Sequence, residues 1–173
     1  MKVLAFAASS SQNSINKQLV NYTAKQIENA QVELLDINDY EMPLFSEDRE
    51  KALGQPELAK AFYQKLGEAE MIVISFAEHN GSYTAAYKNL FDWTSRINMK
   101  VFQNKPVIML ATSPGPGGAG SVLASAVGSA HFFAANVKGS VSVPSFYDNF
   151  DVEKGELTNP SLVEKIQSVI NQL

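Results

Sequence analysis

Cysteine is absent from all 173 residues, which excludes disulfides, thiol chemistry and cysteine-based metal sites. Such a chain suits the cytoplasm, and a cytoplasmic location is expected. A basic excess is also missing: 14 Lys and Arg stand against 18 Asp and Glu, a net charge of −4. A general nucleic-acid binder needs a basic stripe, so no nucleic-acid partner is expected. No apolar run approaches the roughly 18 residues that cross a bilayer, so no membrane partner is expected either. The opening Met1-Lys2-Val3-Leu4-Ala5-Phe6 is cut off by Ser9-Ser10-Ser11-Gln12 and reads as a first strand, not a signal peptide. Beyond that strand there is no Gly-Lys-Ser/Thr ending and no Gly-x-Gly-x-x-Gly, which excludes a P-loop and the dinucleotide fingerprint. Isolated acids such as Asp36 and Asp39 form no ligand constellation, so no metal is expected.

What is present is an ordinary globular composition, 45% apolar and 18% charged. The length suits one sizeable core, and a single domain over residues 1–173 is expected. Lys2–Ala8 reads as a buried strand, Ser14–Asn29 as a helix with Ile15, Leu19, Tyr22 and Ile27 on one face, and Gln31–Asp36 as a second strand. Ile37 to Gln55 is a long irregular connection, and Pro56–Glu68 a helix presenting Leu58, Phe62 and Leu66. Met71–Phe76 is an uninterrupted apolar run, the mark of a strand covered on both faces. A helix from about Thr84 to Ile97 shows Ala86, Leu90, Trp93 and Ile97; Trp93 and Phe91 read as packing residues. Pro106–Ala111 is the next strand, and Val122–Ala134 a small-residue helix in which His131 reads as a core or interface residue. Val137, Gly139, Val141 and Val143 alternate with polar residues, as in an edge strand. Ser161–Leu173 closes the chain as a helix. Alternating strand and helix predict a parallel sheet covered on both sides.

Three loops follow the carboxyl ends of buried strands, where open α/β sheets bind ligands. The first, Ala8-Ser9-Ser10-Ser11-Gln12-Asn13-Ser14-Ile15-Asn16, is rich in hydroxyls and amides and runs into a helix N-terminus. That combination suits one phosphate, although Ser14 also fits as a plain N-cap. The second, Ala77-Glu78-His79-Asn80-Gly81-Ser82, contains an Asn-Gly turn pair. The third, Thr112-Ser113-Pro114-Gly115-Pro116-Gly117-Gly118-Ala119-Gly120, offers backbone with little side-chain bulk, a surface for a flat ring or simply a flexible connection.

Taken in order, these motifs resemble the NADPH-dependent FMN reductase family, flavodoxin-like proteins that include quinone, azo-dye and chromate reductases. The family's Gly-Ser-x-Arg-x-x-Ser-x-Asn is met by Ser9, Ser14 and Asn16, with Ala8 at the glycine and Ser11 at the arginine position. Its Pro-Glu-Tyr-Asn-Gly-Ser is similar to Ala77-Glu78-His79-Asn80-Gly81-Ser82, followed by Lys88-Asn89-Leu90-Phe91-Asp92-Trp93. Ser113-Pro114-Gly115 with Gly117-Gly118, Pro43-Leu44-Phe45, and the tail Phe150-Asp151 with Gly155-Glu156-Leu157 are similar as well.

The resemblance implies a three-layer αβα sandwich with a five-stranded parallel sheet of order 2-1-3-4-5. It implies FMN phosphate at Ser9, Ser11, Ser14, Ile15 and Asn16, and isoalloxazine contacts at Glu78, His79, Asn80, Gly81 and Ser82 and at Ser113, Gly115, Gly117 and Gly118. No catalytic side chain is expected, because FMN carries the chemistry. NADPH or NADH is the implied co-substrate, and a quinone-like, flavin or other small molecule the electron acceptor. A homodimer or homotetramer is implied, with Met42–Phe45 and the Trp93 helix as interface candidates. Two other functions fit the same residues: a non-enzymatic FMN-binding electron carrier, and a cofactor-free binding module.

Overall fold

Successive side chains of a strand point to opposite faces, so an unbroken apolar run must be covered twice. The computed structural model, which describes residues 1–173, meets that demand with helices on both sides of one sheet. In chain order, β1 (Lys2–Ala8), α1 (Ile15–Lys25) and β2 (Gln31–Leu35) are followed by a 3-10 turn (Ile37–Tyr40), α2 (Glu47–Leu53) and α3 (Glu57–Glu68). Then come β3 (Met71–Phe76), the two-residue strands β4 (Glu78–His79) and β5 (Ser82–Tyr83), and α4 (Ala85–Ile97). Next are β6 (Pro106–Thr112), α5 (Gly120–Ser129), a second 3-10 turn (Ala130–Phe133) and β7 (Asn136–Val143). The one-turn α6 (Phe146–Asn149), the short pair β8 (Phe150–Asp151) and β9 (Glu156–Leu157), and α7 (Pro160–Ile170) complete the chain.

The main sheet has five strands in the order β2-β1-β3-β6-β7, which is 2-1-3-4-5 counted over its own strands. All its pairings are parallel. Its two faces carry separate apolar clusters. Leu4, Phe6, Ile72, Ile74, Val107 and Met109 pack with Phe62 and Leu66 of α3, Leu90 of α4 and Val122 of α5. Val3, Ala5, Met71, Val73, Ile108 and Leu110 pack with Leu19 and Val20 of α1 and Leu162 and Ile166 of α7. Each such side chain removed from water is worth about 1.5–3 kcal/mol, so the central strands anchor the sandwich.

Several expectations change in detail. Ser14 caps α1 from outside and the helix stops at Lys25, short of Asn29. The stretch taken as irregular holds a 3-10 turn and α2. On α3 the core face is Ala59, Phe62 and Leu66, while Leu58, in the first turn, is turned off that face and exposed. The helix expected over Val122–Ala134 ends at Ser129 and tightens into the 3-10 turn, where His131 is exposed and lies outside the core. Trp93 is fully buried, and its indole Nε1 donates to the Pro43 carbonyl at 2.7 Å. Asn89 takes part in the same staple, donating to Met42 and Pro43 and accepting from the Phe45 N–H. The Phe45 ring meets Trp93 edge-on at 5.0 Å. The long connection is thus riveted to α4, and Trp93 contributes nothing to an outer surface.

The edge strand β7 carries a register shift opposite Val107 and Ile108, and Gly139 directly follows it. A Cβ on Gly139 would stand 2.7 Å from both Val169 methyls, so this glycine lets α7 settle on the strand. Gly139→Ala is expected to destabilise the fold by about 1–3 kcal/mol. Adding Val169→Ala is expected to restore part of that loss, and urea unfolding of both variants checks it.

Candidate active site

The three loops lie side by side because β1, β3 and β6 are neighbours in the sheet. Asn16, in the first turn of α1 and 2% exposed, binds them together. Its Nδ2 donates to the Thr112 carbonyl at 3.2 Å. Its Oδ1 accepts the Ser75 hydroxyl at 2.7 Å and the Thr112 N–H at 3.2 Å. Ser75 is the one polar side chain in the β3 run and is completely buried on the α1 face. It fits there because Asn16 accepts its hydrogen bond, since an unmatched buried hydroxyl is costly. The Asn16 side chain, expected at the phosphate, is therefore committed to fixing α1 against β3 and β6.

Further ties close the arrangement. Thr84 caps α4 by accepting the Tyr87 N–H at 3.2 Å, and its hydroxyl donates to the Ala8 carbonyl at 3.1 Å. That joins the end of β1 to the second loop. Ala119, at the N-cap of α5, has no side-chain oxygen to offer. Glu78 supplies one from afar, its Oε2 accepting the Val122 N–H at 2.8 Å. A carboxylate is well placed there, since it meets the positive end of the helix dipole. Thr112 Oγ1 donates to Val143 and Ser142 Oγ to Gly118, which fixes the third loop to β7.

With those side chains engaged inward, the three loops leave exposed their backbone, short hydroxyls, the amides of Gln12, Asn13 and Asn80, and the His79 imidazole. In the first loop Ser9 and Ser14 are buried and Ser11 exposed. Ser9 Oγ accepts the Ser11 N–H, and Ser14 Oγ accepts the Lys17 N–H. The N–H groups of Ser10, Gln12, Asn13 and Ser14 donate to no group of the protein. They belong to the stretch that leads into α1, whose N-terminus favours an anion. Ile15 is half-buried against the apolar cluster beneath α1.

In the second loop β4 and β5 form an antiparallel hairpin, pairing His79 with Ser82. Asn80 (φ 52°) and Gly81 (φ 76°) both occupy the left-handed region. Positive φ at both turn residues is the type I′ geometry that Asn-Gly adopts with least strain. His79, Asn80, Gly81 and Ser82 are exposed at its tip. In the third loop, added Cβ atoms at Gly115 and Gly117 would meet nothing within 4 Å. Gly118 differs: with φ +59° and a virtual Cβ 2.3 Å from Ser142 Oγ, it is a packing glycine. Ser113 is half-buried and its hydroxyl donates to the Gly115 carbonyl at 3.1 Å.

Charge near the crevice is modest. Lys17 Nζ meets Asp36 Oδ2 at 2.9 Å, tying α1 to the end of β2. The hydrogen bond from Lys17, then that from the Asn38 N–H, hold the Asp36 carboxyl below its usual range. A depressed carboxyl adds stability above its unfolded value, and that contribution is lost as the pH falls through the folded value. Both side chains are about one-third exposed (38% and 34%), so solvent screening keeps the effect small.

Sequence reasoning placed the three loops together but missed Ser75, Thr84 and Thr112, which connect them. A serine ending a valine- and isoleucine-rich strand was the available signal for the first of these.

The family model for NADPH-dependent FMN reductases matches residues 1–148. An uncharacterized protein of Mycoplasma pneumoniae is 30% identical over 157 residues, covering 88% of this chain and 92% of that protein. An Arabidopsis thaliana NADPH:quinone oxidoreductase is 34% identical over 99 residues, 57% of this chain and 49% of that protein. The Paracoccus denitrificans flavoenzyme FerB, an NAD(P)H:(acceptor) oxidoreductase, superposes with a TM-score of 0.80 at 21% identity, covering 98% of this chain and 93% of that one. That structural likeness confirms the flavodoxin-like sandwich.

Asn16→Ala would strand the buried Ser75 hydroxyl and the Thr112 N–H together. A loss of about 2–4 kcal/mol in urea unfolding is expected, against about 0.5 kcal/mol or less for the exposed Asn13→Ala. By its matching family model and its relatives, the chain belongs to the NADPH-dependent FMN reductase family, a family of enzymes.

Proposed function

We propose that this protein is an FMN-dependent NAD(P)H oxidoreductase that delivers two electrons to a small acceptor of the quinone or flavin type. The observation that carries this is the pairing of unpaired backbone donors at the start of α1 with the open glycine surface of the third loop. A phosphate anion fits the first, and a flat ring the second.

In this proposal the hydroxyls of Ser9, Ser11 and Ser14 and the backbone N–H groups of Ser10 and of Gln12 to Ile15 would hold the phosphate. Asn16 acts one step removed, by fixing the direction of α1. His79, Asn80, Gly81 and Ser82 would line one edge of the ring, while Gly115 and Gly117 would let it approach the backbone. Glu78, Ser113 and Gly118 serve by holding those loops in place. When bound, FMN supplies the redox chemistry, taking hydride from the nicotinamide and passing it to the acceptor. The chain's own task is to orient the ring and leave one face accessible; no side chain need move a proton. Ser11 offers a neutral hydroxyl where the family pattern has arginine, which removes a charge-assisted bond to phosphate.

Gly117 provides a direct test, because a side chain there meets no other part of the protein. Gly117→Val is expected to leave the unfolding free energy within about 0.5 kcal/mol of the parent. It is expected to weaken FMN binding by at least about tenfold, measured by quenching of flavin fluorescence on titrating apo-protein. Ser11→Arg is expected to tighten FMN or NADPH. Stopped-flow mixing of the loaded protein with NADPH and with NADH should bleach the flavin, and added quinone should restore its colour. FMN that binds but is never reduced would mark a carrier, and no binding at all would mark a cofactor-free module.

A further inference from the structure

A largely apolar cavity shares no residue with the three loops. It lies between α4 and α5 on the other side of the β4–β5 hairpin, with a volume of about 360 Å³. Its walls are rings: Phe76, Tyr83, Tyr87, Phe91, Phe102 and Phe133. They pack edge to face among themselves, Phe91 on Phe133 at 4.7 Å and Phe76 on Tyr87 at 5.5 Å. None of these residues takes part in the crevice as proposed, and several belong to no sequence motif.

Four hydroxyls line this cavity: Ser95 and Ser129 donate to backbone carbonyls, Tyr83 meets Ser129, and Tyr87 lacks a partner. Tyr87 is 4% exposed, yet its hydroxyl bonds to no group of the protein, only its N–H being engaged, by Thr84. The Thr23 hydroxyl is the only fully enclosed side-chain polar atom without a partner. The Tyr87 hydroxyl therefore keeps its small accessibility through the cavity that Tyr87 lines. Burial pushes its phenol far above the ordinary range, so it remains a neutral donor. At the mouth, Lys88 Nζ is held by both Asp92 oxygens at 2.7 and 3.0 Å, which leaves no free charge to attract an ion.

We propose that the cavity between α4 and α5 is a second small-molecule site, taking an uncharged planar aromatic compound whose carbonyl-type oxygen accepts a hydrogen bond from Tyr87. A mostly apolar enclosure with one orienting donor is the usual construction of such sites, and its volume falls within their range of about 300–1,000 Å³. The rings supply dispersion and edge contacts to a flat molecule, and the unengaged Tyr87 hydroxyl fixes its orientation. The site is separate from the flavin crevice, so the proposal stands or falls independently of the redox function.

The test is calorimetric titration of the protein, first alone and then with FMN added, without nicotinamide, using 2-acetylnaphthalene as the probe. One site per chain is expected with FMN in place. Tyr87→Phe is expected to weaken the probe by about five- to tenfold, the value of one hydrogen bond. 2-Isopropylnaphthalene, which lacks the oxygen, should bind parent and Tyr87→Phe equally. Ala126→Phe, which fills the cavity from α5, should abolish binding; if that variant does not fold, the Tyr87 comparison still decides. Competition between probe and FMN, indifference to Tyr87→Phe, or no binding would overturn the proposal. So would an Ala126→Phe protein that turns from dimer to monomer, since a second copy would then be the occupant.

Discussion

A single buried amide determines how the ends of the central strands face solvent. Asn16 reaches from α1 to Ser75 on β3 and to both backbone groups of Thr112 on β6. Three partners exhaust the ways the first turn of α1 can sit, so the loop before it is held at both ends. Parallel sheets leave the carboxyl ends of their strands to the loops alone. Here one side chain turns three separate loops into a single crevice. Glu78 and Thr84 extend the same principle, each satisfying a helix N-terminus while linking one loop to the next.

The arrangement separates two tasks that the residue types alone would confuse. Polar side chains with several hydrogen-bonding atoms (Asn16, Glu78, Thr84, Thr112) are used to assemble the crevice. The surface that remains for a ligand is built from free N–H groups, short hydroxyls and bare glycine. Such a surface offers hydrogen-bond donors with little side-chain bulk. That suits a family in which the cofactor performs the redox step and the protein positions it. Acceptor choice would then depend on which flat molecules can lie against the open face, not on a dedicated catalytic residue.

How much of this was legible depended on whether a residue's task left a periodic trace. Unbroken runs at Val3–Ala8 and Met71–Phe76 reported burial on both faces, and alternation with helices reported a parallel sheet, while the order of its strands came only with the family resemblance. The Asn80-Gly81 pair announced its turn, because few other dipeptides tolerate positive φ twice. By contrast, α2 buries no residue at all, so it carries no apolar rhythm, and only Ser46 with Glu47, Asp48 and Glu50 marks its start. Asn16 looked like a ligand because its spacing from Ser9 and Ser14 is that of the family pattern. Which way an amide points, outward to an anion or inward to a strand, is a property of the partners across the sheet. Those partners, Ser75 and Thr112, lie 59 and 96 positions away. Trp93 was legible as a packing residue, but its partners were not, since only the folded connection shows Pro43 and Phe45 covering it.

Amide hydrogen exchange with and without FMN tests the central claim most directly. If one crevice serves one ligand, FMN should slow exchange together at Ser10–Asn16, at Asn80–Ser82 and at Gly115–Gly120, with little change at β2 or α7. Protection confined to one loop, or appearing only outside these three segments, would contradict the account.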